Sequence, residues 1–198
     1  MNRSVGRRTI FDDGGDFAAF VRVLEKGVED HGIRLLGWCV MSNHWHLVLW
    51  PDADGQLSRF MAWLTTTHAR RWHEHRHSTG HGHLYQGRFK SFPVETDAHL
   101  LTVLRYVERN PLRAQMVQRA EYWPYSSLRR RLGFCADGPA LTPSPVPCRD
   151  DWLTWVNEPQ TDKEMEELRT SVNRGRPFGS AAWQARYTKI LGLKPKRG

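Results

Sequence analysis

Two short stretches of this sequence carry residue types that can do chemistry together. The first is His44-Trp45-His46, inside the apolar run HWHLVLW of residues 44–50. On an extended strand, residues two apart point to the same face, so both imidazoles project together while Trp45 points the other way. Two imidazoles so placed are a ready pair of metal ligands, although two histidines also share a strand face by chance and HxH alone is a weak signature. The second stretch holds Tyr106 and Asn110, four residues apart within LLTVLRYVERN. On a helix they stand one turn apart on one face, offset from the Leu100, Leu104 and Val107 stripe. The Asn110 carboxamide offers an oxygen ligand and the Tyr106 phenol an oxygen nucleophile. The plainer alternative is a half-buried tyrosine with a helix-ending Asn before Pro111.

Together the two stretches ask for one chemistry. A free tyrosine has a pKa of about 10 and is a poor nucleophile at neutral pH. A divalent cation on a scissile phosphate would polarise phosphorus and stabilise the charge that develops on the transferring group. Two imidazole nitrogens and one amide oxygen leave positions open for substrate and water. That mixed set suits Mg²⁺ or Mn²⁺, while imidazoles also accept Zn²⁺ or Ni²⁺.

The elements that must position these groups are legible in outline. Phe17, Phe20, Val21, Leu24 and Val28 recur at helical spacing, with Asp16 as an expected N-cap and Gly32 as a stop. Residues 33–40 (IRLLGWCV) and 44–50 read as a β-hairpin around Met41-Ser42-Asn43. A second helix is expected over 56–75, started near Asp54, with Leu57, Phe60, Met61, Leu64, His68 and Trp72 on one stripe. Residues 84–94 (LYQGRFKSFPV) read as a strand, and Thr96-Asp97 opens a third helix that Pro111 is expected to end. With one strand ahead of the first helix, the order becomes β-α-β-β-α-β. That is an α+β, ferredoxin-like antiparallel sheet sandwich with an added catalytic helix. Trp45, Leu47 and Leu49 would then face the sandwich helices and leave the histidines on the other side. Residues 2–9 are polar and basic, so the first strand is either very short or belongs to a start further upstream. After Leu132 the composition shifts, and residues 138–147 (GPALTPSPVP) carry four prolines. The expected division is 1–132 as the catalytic domain, 133–150 as a linker and 151–198 as a small, basic, helical C-terminal extension.

Charge points toward nucleic acid. Lys plus Arg is 29 against 21 Asp plus Glu, a net charge of +8, which suits polyanions. No run of about 18 apolar residues occurs, which speaks against a membrane partner. The start of the chain lacks the apolar segment of a secretory signal. Cys39, Cys135 and Cys148 lack CxxC spacing. A cytoplasmic, reducing setting is therefore expected, without a disulfide framework or zinc ribbon.

MSNHWHLVLW, then GHLYQGRFKSFPVE, then LLTVLRYVERNPLRAQMV resembles the REP-associated tyrosine transposases, HUH-superfamily relatives of the single-strand insertion-sequence transposases. The likeness runs from about residue 2 to 128, and RGRPFGSAAWQARYTKILGL resembles extensions seen in the same group. The resemblance implies an HUH endonuclease fold, cleavage and joining of single-stranded DNA, and a 5′-phosphotyrosine intermediate. It matches His44, His46 and Asn110 to the metal positions, where insertion-sequence relatives often carry Gln for the last, and Tyr106 to the nucleophile. The implied partner is a short palindromic DNA hairpin with flanking single strand, and the protein acts as a monomer or a homodimer.

Arg7, Arg8, Arg88, Lys90, Arg105, Arg109 and Arg113 are candidates for phosphate contact, which sets affinity rather than sequence choice. Arg174-Gly175-Arg176-Pro177 is like the core of an AT-hook, although a four-residue match is cheap and a basic turn between two helices is the favoured reading. His68, His73, His75, His77, His81 and His83 lack the partners of a known zinc pattern and read as a polar, pH-sensitive surface, with His83 leading into the strand near the site. Two other functions compete. A non-catalytic hairpin-binding regulator has no need of a His, His, Tyr, Asn set. A hydrolase built on the HxH pair usually occupies a barrel of about 250 residues, longer than this chain.

Overall fold

The computed structural model describes residues 1–80 and 82–193; residues 81 and 194–198, and with them His81 and the end of the expected extension, lie outside the described residues. Its centre is an antiparallel hairpin of β2 (Arg34–Met41) and β3 (His44–Trp50), with β1 (Asn2–Arg3) on the far side of β3, in the order β1-β3-β2. Asn2 lies opposite Trp45 and Arg3 opposite His44. The awkward first strand is therefore present, and two residues long. Because β1 and β2 both run antiparallel to β3, they are parallel to each other and form a split β-α-β unit around α1 (Gly14–His31).

The expected fourth strand is not formed. Residues 84–90 do follow β1, with Val5 N–H bonded to the Leu84 carbonyl at 3.0 Å and Gln86 N–H to that of Arg3 at 2.8 Å. Among the described residues, the isolated bridge on this side pairs Ser4 with Tyr85. A two-residue β1 offers too short a ladder, and the path is interrupted at Gly87, whose φ of +65° is cheap only for glycine, before Lys90 N–H returns to the Met1 carbonyl at 2.9 Å. The architecture is thus a mixed α/β fold on a small three-stranded sheet.

Alternation along β3 divides the core in two. Trp45 joins Leu35, Trp38 and Val40 of β2 against Phe17, Phe20 and Leu24 of α1 and Phe60, Met61 and Leu64 of α2 (Gln56–His75). On the opposite face Val48, Leu36, Cys39 and Met41 pack on Leu100, Leu104 and Val107 of α3 (Ala98–Glu108). α3 comes very close to the sheet, since a Cβ on Gly37 would lie 2.7 Å from Leu104. Two helix starts differ from expectation. Asp13, not Asp16, caps α1 by accepting from the Gly15 and Asp16 amides, while Asp16 pairs with Arg76. Gly55, not Asp54, precedes α2. Pro111 also does not end the helical path. It sits in the first turn of α4 (Asn110–Arg113), where a missing N–H costs little, and Arg113 N–H still reaches the Arg109 carbonyl at 3.0 Å.

The later segments complete the α3 side. After the short α5 (Leu128–Arg131), residues 133–150 run back past the sheet, where Thr142 N–H bonds to the Leu35 carbonyl at 2.8 Å. Trp152 and Val156 of α6 (Trp152–Asn157) and Met165 and Leu168 of α7 (Asp162–Arg174) enter the same core cluster as α3. α8 (Ala181–Ile190) contributes no fully buried residue.

One polar cluster joins these pieces. Glu108, wholly buried, accepts from Ser127 Oγ at 2.6 Å, Arg131 Nε at 2.9 Å and Trp152 Nε1 at 2.9 Å. Ser127 Oγ accepts in turn from the Trp38 amide at 3.0 Å. Removing one member of a buried charged pair strands the other. Glu108→Ala is expected to lower stability by about 3–5 kcal/mol in denaturant melts. The double change Glu108→Leu with Arg131→Met is expected to lose clearly less, because it leaves neither charge unpaired.

Candidate active site

The hairpin and α3 bring the predicted chemistry to one place. His44 and His46 project from β3 toward α3, with ring centroids 5.1 Å apart. The Tyr106 ring stands edge-on to His46 at 5.7 Å and 84°. Asn110 lies one turn further on, 2% exposed. Arg113 links the last two: its Nη2 donates to Asn110 Oδ1 at 2.7 Å and lies 3.4 Å from the Tyr106 hydroxyl, while the guanidinium sits 4.5 Å above the phenol ring. Asn110 Nδ2 is buried and has no partner among the described residues.

The imidazoles are held neutral, with at least one ring nitrogen left as a lone-pair donor. His44 Nδ1–H donates to Asn43 Oδ1 at 2.7 Å, which fixes the tautomer and leaves Nε2 with a free lone pair. Asn43 is itself held, since its Nδ2 donates to the Arg7 carbonyl at 2.9 Å. Burial, reinforced by the charges of Arg3 and Arg113, lowers His44 to about 4, and burial beside His44 carries His46 well below its ordinary value. Both rings are neutral at pH 7, the form a metal needs. The residues present therefore fit a divalent cation that two nitrogens could hold, with the Asn110 carboxamide, here bonded to Arg113, as a candidate oxygen donor.

Trp45, between the two ligands, is fully buried on the opposite face. Its Nε1–H donates to Tyr85 Oη at 2.9 Å, and that hydroxyl donates to His68 Nδ1 at 2.6 Å. This chain of bonds ties β3, residues 84–90 and α2 together behind the site. His68 thus belongs to the core and not to a surface histidine cluster.

The arginines divide. Arg105 is buried, its Nη2 spent on the Glu158 and Pro159 carbonyls at 2.9 and 3.2 Å and its guanidinium stacked on Trp155. Arg109 donates to the Val156 and Asn157 carbonyls. Both cap the C-terminal end of α6, where unpaired carbonyls favour cations, so both side chains are engaged within the protein rather than free for the expected phosphate contacts. Arg7, Arg8, Arg88 and Lys90 are exposed, Arg113 is in the site, Arg174 is exposed and Arg176 half-buried. The AT-hook-like turn is docked, not free: Gly175 caps α7, and Phe178 exchanges backbone bonds with Pro93 and Glu95 at 2.9 Å each. A groove of about 690 Å³ runs from His46 and Tyr106 past Lys90 and Phe92 to Gly175 and Trp183.

Sequence reading missed Arg3, whose position opposite His44 follows only from strand pairing, and the Trp45–Tyr85–His68 chain. It also missed Glu95, Asp97 and His99, whose donor atoms lie within 4.8 Å of one another. There, however, Asp97 caps α3 and Glu95 accepts from the Ser180 amide.

Burial holds His68 at about 4, against 6.5 for the free side chain. The unfolded chain therefore binds the proton first, and the stability tied to neutral His68 is complete above pH 6.5 and lost as pH falls toward 4. Over that window the wild type is expected to lose about 3 kcal/mol more than His68→Gln, measured by denaturant titration at each pH.

Comparison with known proteins adds to this geometry. The family model described as "Transposase IS200 like" matches residues 2–110. A curated Haemophilus influenzae protein named REP-associated tyrosine transposase is 26% identical over 110 residues, 52% of this chain and 62% of that protein. The matched part thus spans less than two thirds of the relative. A solved structure, described as the REP-associated tyrosine transposase bound to a REP hairpin, shares the fold with a TM-score of 0.55 at 15% identity, covering 75% of this chain and 90% of that one.

Proposed function

This chain belongs to the IS200-like transposase family, and from that premise we propose that it is a metal-dependent enzyme that cuts and rejoins single-stranded DNA at REP-like hairpins, with Tyr106 as the covalent nucleophile. The observation that carries the reading is the meeting of Tyr106 from α3 with His46 from β3, 5.7 Å apart ring to ring, beside His44 and Asn110. Pure binding has no use for a phenol next to two imidazoles kept neutral by burial.

His44 Nε2, His46 and Asn110 Oδ1 would hold Mg²⁺ or Mn²⁺, which when bound supplies Lewis-acid polarisation of the scissile phosphate. Tyr106 Oη attacks phosphorus. An O–P bond forms to the 5′-phosphate and the bond to the 3′ oxygen breaks; the phenol gives its proton to solvent, and the departing 3′ oxygen takes one up from solvent to leave as a 3′-hydroxyl. Attack by a 3′-hydroxyl on the phosphotyrosine reverses the step and joins strands. Asn43 orients His44, and Arg113 holds Tyr106 and Asn110 in register. Arg7, Arg8, Arg88, Lys90, Arg174 and Arg176 would contact phosphates of the hairpin and its flank, on a ferredoxin-like frame in which residues 84–90 stand where a fourth strand would. Residues 1–132 would house catalysis, and 151–198 would add a DNA-contacting element as well as packing.

The test uses end-labelled single-stranded oligonucleotides carrying REP-like hairpins, incubated with Mn²⁺ and run on a denaturing gel. Wild type is expected to give a retarded, protease-sensitive band that chelator abolishes and Tyr106→Phe lacks. Tight binding without an adduct, over several hairpins and with both metals, would leave a hairpin-binding regulator in its place.

A further inference from the structure

We propose that Arg113 is a positioning residue that occupies the metal site's oxygen ligand and yields it when a phosphodiester arrives to take the guanidinium; this rests on the catalytic reading above. Asn110 is nearly sealed from solvent, and the bond from Arg113 Nη2 to its Oδ1, 2.7 Å, is the side chain's only hydrogen bond among the described residues. The carboxamide's orientation therefore depends on Arg113. The guanidinium is seated by the Tyr106 ring and by Met165 Sδ, 3.9 Å from Nη1, and its charge is felt at both His44 and His46.

A dication between those imidazoles meets two obstacles while Arg113 stays. The oxygen it needs is accepting a charge-assisted bond, and a fixed positive charge lies alongside. A phosphodiester removes both. Its non-bridging oxygens accept the guanidinium fork and neutralise part of the dication's charge, and Asn110 Oδ1 becomes free to turn to the metal. Metal and DNA then bind cooperatively, each raising the affinity of the other by the same factor. Arg113 keeps Tyr106 ordered yet the site weakly loaded until substrate is present.

The experiment titrates Mn²⁺ into the full chain and follows free Mn²⁺ by electron paramagnetic resonance, with folding checked by circular dichroism. Wild type, Arg113→Gln, Arg113→Lys and His44→Ala are compared, with and without oligothymidylate as a phosphodiester lacking any hairpin. Loss of a charge-assisted bond that competes with the metal should tighten Mn²⁺ binding about tenfold in Arg113→Gln. Arg113→Lys, which keeps the charge but loses the fork, should fall between. Oligothymidylate should raise Mn²⁺ affinity in wild type and much less in Arg113→Gln. A merely structural Arg113 would loosen the site on removal, the opposite sign. Mn²⁺ binding that needs His44 but is unchanged or weaker in both Arg113 variants overturns the gate and leaves the catalytic reading standing. Binding that survives in His44→Ala, or is absent from every variant, overturns the metal site itself and the gate with it.

Discussion

The buried carboxylate of Glu108 is the constraint on which the rest of this molecule hangs. A charge taken fully out of water is tolerable only if its oxygens are paired, and here Ser127, Arg131 and Trp152 do so at 2.6–2.9 Å. Those partners come from α5, its N-terminal flank and α6, and Ser127 and Arg131 continue to β2 through the Trp38 amide and the Leu36 carbonyl. Satisfying one carboxylate therefore fixes where β2, α3, α5 and α6 stand relative to one another. Glu108 lies two residues from both Tyr106 and Asn110, about 200° around the helix from each. α3 is gripped on one side so that its other side can be presented accurately to the histidines.

β3 is fixed by a second device, on the opposite face of the sheet. Trp45 is a bulky residue to find between two site histidines, and its size becomes useful because it points away from them. Its indole packs on Phe20 and hydrogen-bonds through Tyr85 to His68, so three elements brace the strand from behind. The active-site chemistry thus lies between two braced surfaces. Tyr106 sits against His46 with both backbones braced from behind.

Part of this was readable in the residues themselves. Alternation over 44–50 gave the direction of Trp45 and of the histidines, and the four-residue step from Tyr106 to Asn110 gave their common face. Both are local periodicities, which chain geometry enforces whatever the tertiary context. The failures are of another kind. Residues 84–94 have the composition of a strand, but whether extended chain forms a ladder depends on its neighbour, and β1 supplies only Asn2 and Arg3. Pro111 looked like an end, yet at the start of a helical turn its missing N–H had nothing to donate to. Glu108 is a charge in an apolar helix whose partners lie 19, 23 and 44 residues away, and no spacing rule reaches that far.

The arginines show why net charge overstates a nucleic-acid surface. Arg105 and Arg109 flank Tyr106 in sequence and looked like phosphate contacts. Their side chains instead reach across to four carbonyls at the end of α6, and Arg131 is committed to Glu108 and Leu36. A six-residue helix leaves most of its terminal carbonyls unpaired, and burying that end against α3 would be costly without donors. The same bonds make the C-terminal segment part of what holds α3. Arg113 is the member of this series, spaced at four residues along one face, that does not reach α6. It turns back onto Tyr106 and Asn110, so a row of like residues has two structural members and one in the site. Positive charge beside the histidines and Tyr106 is then concentrated on Arg3 opposite His44 and Arg113 over the phenol, with exposed Lys90 further along the groove, so the field there is focused rather than spread over a diffuse basic surface.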